Sequence, residues 1–209
     1  LTFRENRRLF EISNLITGGD DMVLSIFALI SEKIRKRNQS MDMGRAARAN
    51  ECEEIRRLVT VDGVDPNILD GEGSTPLMQA AGRGNYECVK LLLELGANVQ
   101  MRETRKGLSA LKFALARGYE DVARLLLDHG ADPNETDNLN RTPLIFAAGQ
   151  GNIELVRLLL ELGADPNIKD GYGNAPITVA EDTHHMEIRE LLLEHGAQPV
   201  ERFYLGDET

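Results

Sequence analysis

The chain repeats itself, and the repeat limits what it can fold into more than any other feature. The string Gly-Ala-x-x-(Asn/Gln) stands at Gly96 to Gln100, Gly130 to Asn134 and Gly163 to Asn167, with an echo at Gly196-Ala197-Gln198-Pro199 and a variant at Gly63-Val64-Asp65-Pro66-Asn67. Successive copies begin 33, 34, 33 and 33 positions apart. A second string keeps the same phase: Thr75-Pro76-Leu77, Ser109-Ala110-Leu111, Thr142-Pro143-Leu144 and Ala175-Pro176-Ile177. Two independent signals sharing a period in the window of roughly 20 to 50 residues predict a solenoid of stacked units. So short a unit cannot bury its own apolar face, and the 209 residues therefore read as one elongated domain. Composition agrees, since aromatic residues make up only 5% of the chain, Trp is absent and there are 19 Gly, which suits Leu and Ala packing between many turns.

Each unit has a readable internal logic. Pro76, Pro143 and Pro176 suit the first turn of a helix, where a missing N–H costs nothing, and Thr75 and Thr142 suit the cap before it. Small residues follow, Ala80-Ala81, Ala114, Ala147-Ala148 and Ala180, which allow a second helix to approach closely. Turns at Gly82 to Gly84, Arg117-Gly118 and Gly149 to Gly151 end the first helix. The second helix carries the apolar bulk, as in Val89, Leu92 and Leu93 or Val156, Leu159 and Leu160, and stops at the Gly of Gly-Ala in a left-handed C-terminal position. Polar stretches such as Asp132 to Asn140 and Asp165 to Gly173 then read as hairpin-like loops leading into the next unit.

On these residues the chain resembles the ankyrin repeat family, and Asp137 to Asn167 meets the family pattern almost completely. The resemblance covers about residues 42–199. It predicts an all-α solenoid of helix-turn-helix units with hairpin loops, preceded by a helical N-terminal cap. The expected organisation is a helical segment over 1–40, a degenerate repeat over 41–69, repeats over 70–103, 104–136, 137–169 and 170–199, and a tail over 200–209. The loop from Val99 to Gly107 carries one extra residue and the charged run Arg102-Glu103-Thr104-Arg105-Lys106, which makes it either a contact or a harmless insertion.

Residues 1–40 do not follow the repeat. Leu9 to Ile16 and Met22 to Ile30 can be drawn as two amphipathic helices separated by Thr17-Gly18-Gly19-Asp20-Asp21. A diverged helix pair capping the open end of the core is the preferred reading, and an element that contacts a partner is the alternative. The basic run Lys33, Arg35, Lys36 and Arg37 fits a solvated helix end, with Asn38-Gln39-Ser40 as a polar link after it. The opening Leu1-Thr2-Phe3-Arg4, with neither an initiator Met nor a signal-type segment, reads as a piece of something longer.

Charge excludes some partners. The formal net charge is −10, and the excess lies in residues 51–209, with 15 Lys and Arg against 28 Asp and Glu. Nucleic acid is disfavoured by that field, and no apolar run is long enough for membrane insertion. A reducing compartment, the cytoplasm or the nucleus, is the default because two cysteines cannot build a disulfide scaffold. Cys88 shares a column with Val122, Leu155 and Ile188 and should be buried core.

Catalysis finds little support. His184 and His185 are adjacent and cannot share a helix face, so no metal site follows, and His129 and His195 each precede a terminal Gly as helix-end decorations. No nucleophile elbow, phosphate loop or dinucleotide fingerprint is present, so no catalytic residue, metal or cofactor is expected. The resemblance instead implies a non-enzymatic scaffold or adaptor binding a protein or linear peptide on the surface made by the hairpin tips and first helices. An obligate homo-oligomer is not expected. On that surface the candidate contacts are Arg105, Leu108, Lys112, Phe113, Leu139, Arg141, Phe146 and Tyr172. Their mixture suggests a partner segment with acidic and apolar residues. Phe113 and Phe146 hold equivalent positions and have a second reading as inter-repeat core. Two further implications concern the family: the domain could recruit substrates for, or regulate, a larger enzyme, and Asn67, Asn134 and Asn167 match an Asn that asparagine hydroxylases accept in such repeats.

Overall fold

The computed structural model describes residues 21–199, and its helices run in the order the repeat predicts. They are α1 (Asp21–Ala49), α2 (Cys52–Thr60), α3 (Pro76–Ala81), α4 (Tyr86–Glu94), α5 (Ala110–Leu115), α6 (Glu120–Asp128), α7 (Pro143–Gln150), α8 (Ile153–Glu161), α9 (Pro176–Asp182) and α10 (Met186–Glu194). The chain divides into two compact units between Asp42 and Met43, inside α1.

The described part of the first unit is a single helix. Asn38-Gln39-Ser40, expected as a polar link, is helical, because α1 continues unbroken to Ala49 and supplies the first helix of the degenerate repeat from its last turns. Three polar residues without Gly or Pro do not interrupt a helix whose hydrogen bonds run on both sides of them. Lys36 pairs with Glu32 one turn earlier at 2.9 Å, and Ile26, Leu29 and Ile30 are each about half exposed. The other helix of the expected capping pair, Leu9 to Ile16, and the tail over 200–209 lie outside the described residues.

The second unit is built from repeated helix pairs around one continuous apolar core, from Met43, Ala46 and Ala47 to Leu191, Leu192 and Ala197. The first helices start as the sequence predicts. Thr75, Ser109 and Thr142 accept from the backbone N–H groups of Met78, Lys112 and Ile145, each at 3.2 Å, and Pro76, Pro143 and Pro176 occupy the first turn. Their alanines are fully buried against the second helices. The turn after each first helix needs a left-handed residue. Gly84, Gly118 and Gly151 supply it, and the outer repeats place Asn50 (φ 61°) and His184 (φ 63°) in the same column. Gly84 is doubly constrained, since a Cβ there would lie 2.7 Å from the ring of Tyr119 in the next repeat. His185 holds the position equivalent to Tyr119 and lies against Gly151 in the same way, which gives this His a packing role.

Cys88 is fully buried, as its column predicts, and it is joined to Cys52 by a disulfide between α2 and α4. The 36-residue separation hid the pairing. Residues one repeat apart in sequence are neighbours in a solenoid, so spacing that is wrong for a metal ligand set is right for a cross-link between adjacent second helices.

The Asn that recurs at the end of these strings is a staple between repeats. Asn67, Asn134 and Asn167 donate through Nδ2 to the carbonyls of Gly96, Gly163 and Gly196 at 3.1–3.2 Å. Their Oδ1 atoms accept from the N–H groups of Asn98, Asp165 and Gln198 at 2.7–2.9 Å. Gln100 in the same column donates to the Gly130 carbonyl.

Candidate protein-interaction surface

The hairpin tips are small carboxylate-centred turns. Asp70 closes the first by accepting from the N–H groups of Glu72 and Ser74, each at 2.9 Å, and Asp137 and Asp170 repeat the arrangement with residues two and four positions on. The irregular second tip obeys the same rule with one substitution. Glu103, immediately before Thr104, takes the Asp position, and its longer side chain accepts from the N–H groups of Arg105 (2.7 Å), Lys106 and Leu108 (3.4 Å). The extra methylene spans the extra residue, and the tip closes through the bond from Glu103 N–H to the Leu108 carbonyl at 2.9 Å. Burial pushes the Glu103 carboxyl upward, but the N–H donors outweigh it and hold the group below its ordinary value. Adjacent tips are then laced together. Thr104 donates to the Glu72 carbonyl at 3.1 Å, Asn138 N–H to Lys106 at 3.0 Å, and Gly171 N–H to Leu139 at 2.7 Å.

This turn geometry aligns Glu72, Arg105, Leu139 and Tyr172 in one tip column. Tyr172 is 74% exposed and Leu139 43%. Leu108 is half-buried, as are Phe113 and Phe146 on the first helices behind. The two readings of the phenylalanines are therefore both partly right. Phe113 packs over Gly82 of the preceding repeat, where a Cβ would come within 3.5 Å of its ring, yet it keeps an open side.

The expected cations fare differently. Lys112 is buried at 1% exposure and is no surface contact. Its Nζ donates to the Arg141 carbonyl at 2.6 Å and lies 6.0 Å from the Phe146 ring centre. It stands near Glu135, itself buried and hydrogen-bonded by the Ser109 hydroxyl. Desolvation pushes Lys112 down to about 8, against the pull of Glu135 and Asp137, and burial raises Glu135. Sequence placed Lys112 on the surface because its column elsewhere holds Met78, Ile145 and Thr178, a mixture with no clear apolar signal. Arg141 covers this network, with Nη2 and Nε on Asp137 Oδ2 at 2.8 and 2.9 Å and its guanidinium 4.5 Å from the Phe146 ring centre. Arg105 is exposed and pairs with Glu72 at 3.3 Å. Both tip arginines thus have carboxylates of their own.

A pocket of about 230 Å³ opens beside the first tip, lined by Arg48, Asp70, Glu72, Met78, Arg83 and Arg117 among others. Arg83 and Arg117, which the sequence marks only as turn residues, each precede a turn Gly and are 34 residues apart. Among the described residues no three His, Cys, Asp or Glu side chains gather as a metal site, and no helix is long and apolar enough to cross a membrane.

Comparison with known proteins agrees with this architecture. A family profile described as ankyrin repeats in three copies matches residues 43–137, and a second, ankyrin repeats in many copies, matches 126–180. The chain belongs to the ankyrin repeat family. Among its relatives is human SMC5-SMC6 complex localization factor protein 1, 35% identical over 86 residues, or 41% of this chain and 8% of that protein. Human protein phosphatase 1 regulatory subunit 27 is 34% identical over 91 residues, covering 44% of this chain and 58% of the relative. Human ankyrin repeat and SOCS box protein 3 is 33% identical over 104 residues, or 49% and 20%. The matched stretch is thus less than two thirds of each relative's length. These ankyrin repeats and the relatives' names support a protein-interaction role and point to a non-catalytic one.

Proposed function

We propose that this ankyrin domain is a binding scaffold or adaptor that holds a segment of a partner protein along its hairpin tips and first helices. The observation that carries the reading is the exposed pair Leu139 and Tyr172 in one tip column, with the open sides of Phe113 and Phe146 behind it and Leu108 at its edge. Tips tied to one another by backbone hydrogen bonds form a rigid platform, so ordering them costs a partner little. Arg105 and Arg141 flank the strip. Arg105 is a rim charge that would exchange Glu72 for a carboxylate on the partner, which makes it a determinant of register and association rate more than of affinity, whereas Arg141 stays on the buried Asp137 and offers a partner only its outer face. The partner is a protein or linear peptide with apolar anchors. The expected compartment is the cytoplasm or nucleus, where glutathione would keep Cys52 and Cys88 as thiols and the disulfide would mark an oxidised form. The test is affinity capture with the wild-type chain beside Leu139→Glu/Tyr172→Glu, both verified as folded by circular dichroism. Partners released by the variant support the surface, and an unchanged set of partners overturns it.

A second reading is favoured by the relatives. Proteins named as a phosphatase regulatory subunit and a SOCS box protein carry similar repeats in chains that extend beyond the match. On that reading the domain recruits or regulates for an enzyme elsewhere in a longer protein. Sequencing the full transcript decides it: an enzyme or ligase-recruiting segment in the same chain supports it, and a chain made only of repeats counts against it.

A further inference from the structure

The pocket beside the first tip combines an apolar floor with a basic rim. Its floor is apolar, made by the buried Met78 and the half-buried Phe113, and left open by Gly82. Its rim carries Arg48, Arg83 and Arg117, all exposed. Asp70 and Glu72 also line it, but neither is available to those arginines. Asp70 receives the N–H groups of Glu72 and Ser74 and the side-chain amide of Gln79, and Glu72 faces Arg105. Arg48 donates to the neutral Gln79 side chain at 2.6 Å, so its charge is also uncompensated. Arg83 and Arg117 have no carboxylate or carbonyl partner among the described residues. With Glu72 paired to Arg105, three guanidinium groups stand against the single carboxylate of Asp70 around an apolar floor, a local excess of positive charge in a chain of net charge −10.

From this we infer that the pocket anchors an acidic and apolar pair of side chains, an Asp or Glu next to a Leu, Ile, Met or Phe, on a linear segment of the partner. The inference rests on the protein-binding reading above and adds a site and a specificity to it. Size favours a side chain over a metabolite, since clefts for drug-sized ligands run to roughly 300–1,000 Å³ and this one holds about 230 Å³. Charge favours a carboxylate over a phosphate. Two carboxylates already line the pocket, so a dianion would meet more repulsion than a single negative charge. The arginine fork suits a carboxylate, and the apolar neighbour would cover Met78 and Phe113 and exclude water from the pair.

Selection of phage-displayed random dodecapeptides on the wild-type chain, followed by fluorescence polarisation with the selected peptides as labelled synthetic probes, tests this. Enrichment of Asp or Glu next to a large apolar residue is expected. Arg83→Glu/Arg117→Glu should weaken those probes at least tenfold, and raising salt from 50 to 200 mM should weaken binding to the wild type more than to the variant. Because both arginines are exposed and unpaired, the variant should melt like the wild type, so lost binding would not reflect unfolding. Peptides that bind the variant equally well but are lost on Leu139→Glu/Tyr172→Glu would overturn the pocket and leave the tip surface standing. No enrichment, or enrichment without acidic residues, would also overturn it, as would tighter binding when phosphoserine replaces the selected Asp or Glu.

Discussion

Arg105 and Arg141 stand on adjacent hairpin tips, and Arg83 and Arg117 stand one repeat apart on the turns behind them. Their neighbours separate them. A tip arginine lies within reach of a tip carboxylate: Asp137 for Arg141, and for Arg105 the Glu72 of the preceding tip. A turn arginine follows the end of a first helix, where it borders Met78, Gly82 and Phe113 and pairs with neither Asp70, which is bonded by Glu72 and Ser74 N–H, nor Glu72, which faces Arg105. The comparison teaches that in an acidic solenoid a basic residue is informative only when the local carboxylates are already committed. Lys112 is the extreme case, a cation drawn wholly inside and held by a backbone carbonyl.

The largest expected effect separates the two regions physically. The disulfide joins α2 to α4, in the repeats that carry Arg48 and Arg83 and not in the one that carries the Asp137 tip. Closing a loop of 36 residues stabilises a chain by about 3–4 kcal/mol on the chain-entropy account. Reduction with dithiothreitol, followed by hydrogen exchange, should therefore raise exchange over 52–95 while the amides of 137–165 change little. Equal loss in both regions would mean the solenoid unfolds as one cooperative unit.

Next comes Lys112. Its folded value near 8 lies below its ordinary 10.5, so between those values the unfolded chain binds more protons and stability rises with pH. The gain is up to about 3 kcal/mol across the window. Urea denaturation of the wild type at pH 7.5 and pH 10 should show this rise. Lys112→Met, which copies Met78 of the preceding repeat, should lose it. Glu135, Asp137, Arg102 and Arg141 stay in place in both proteins, so the difference isolates the lysine.

Arg141→Glu should cost about 2–3 kcal/mol, because it sets a carboxylate beside the buried Asp137 and uncovers Lys112. Arg105→Glu should cost below about 1 kcal/mol, since its pair with Glu72 is fully hydrated. Thermal denaturation of the two variants measures the contrast directly, and equal losses would remove the distinction between a covering and a rim arginine.

The smallest effect concerns the staples. Asn134→Ala removes two inter-repeat hydrogen bonds and should cost about 1–2 kcal/mol, against about 1 kcal/mol or less for Gln100→Ala, whose side chain bonds only the Gly130 carbonyl across the same junction. Chemical denaturation midpoints resolve the difference. Equal costs would mean the second acceptor contributes nothing.

The repeat alone made most of the fold legible. Caps, turns, the alanine faces and the Leu-rich second helices all depend on residues within one unit, and periodicity shows them several times over. The site was legible only in part. Leu139 and Tyr172 were found because tip residues two positions after the Asp are exposed by the turn itself. Lys112 was misplaced, and the Cys52–Cys88 link was not legible, because their environment comes from the neighbouring repeat, 29 to 36 residues away. The break expected at Asn38 to Ser40 failed for a different reason: polarity marks a loop only when something also disrupts backbone hydrogen bonding, and nothing there does.

The sequence by itself determined the length of the unit and where its first helices begin, since these follow from period, propensity and capping. Only the tertiary structure decided which charges remain available to a partner. Whether a guanidinium is spent or free depends on where the carboxylates and carbonyls of the adjacent repeat fall in space, and a one-dimensional period cannot express that distance.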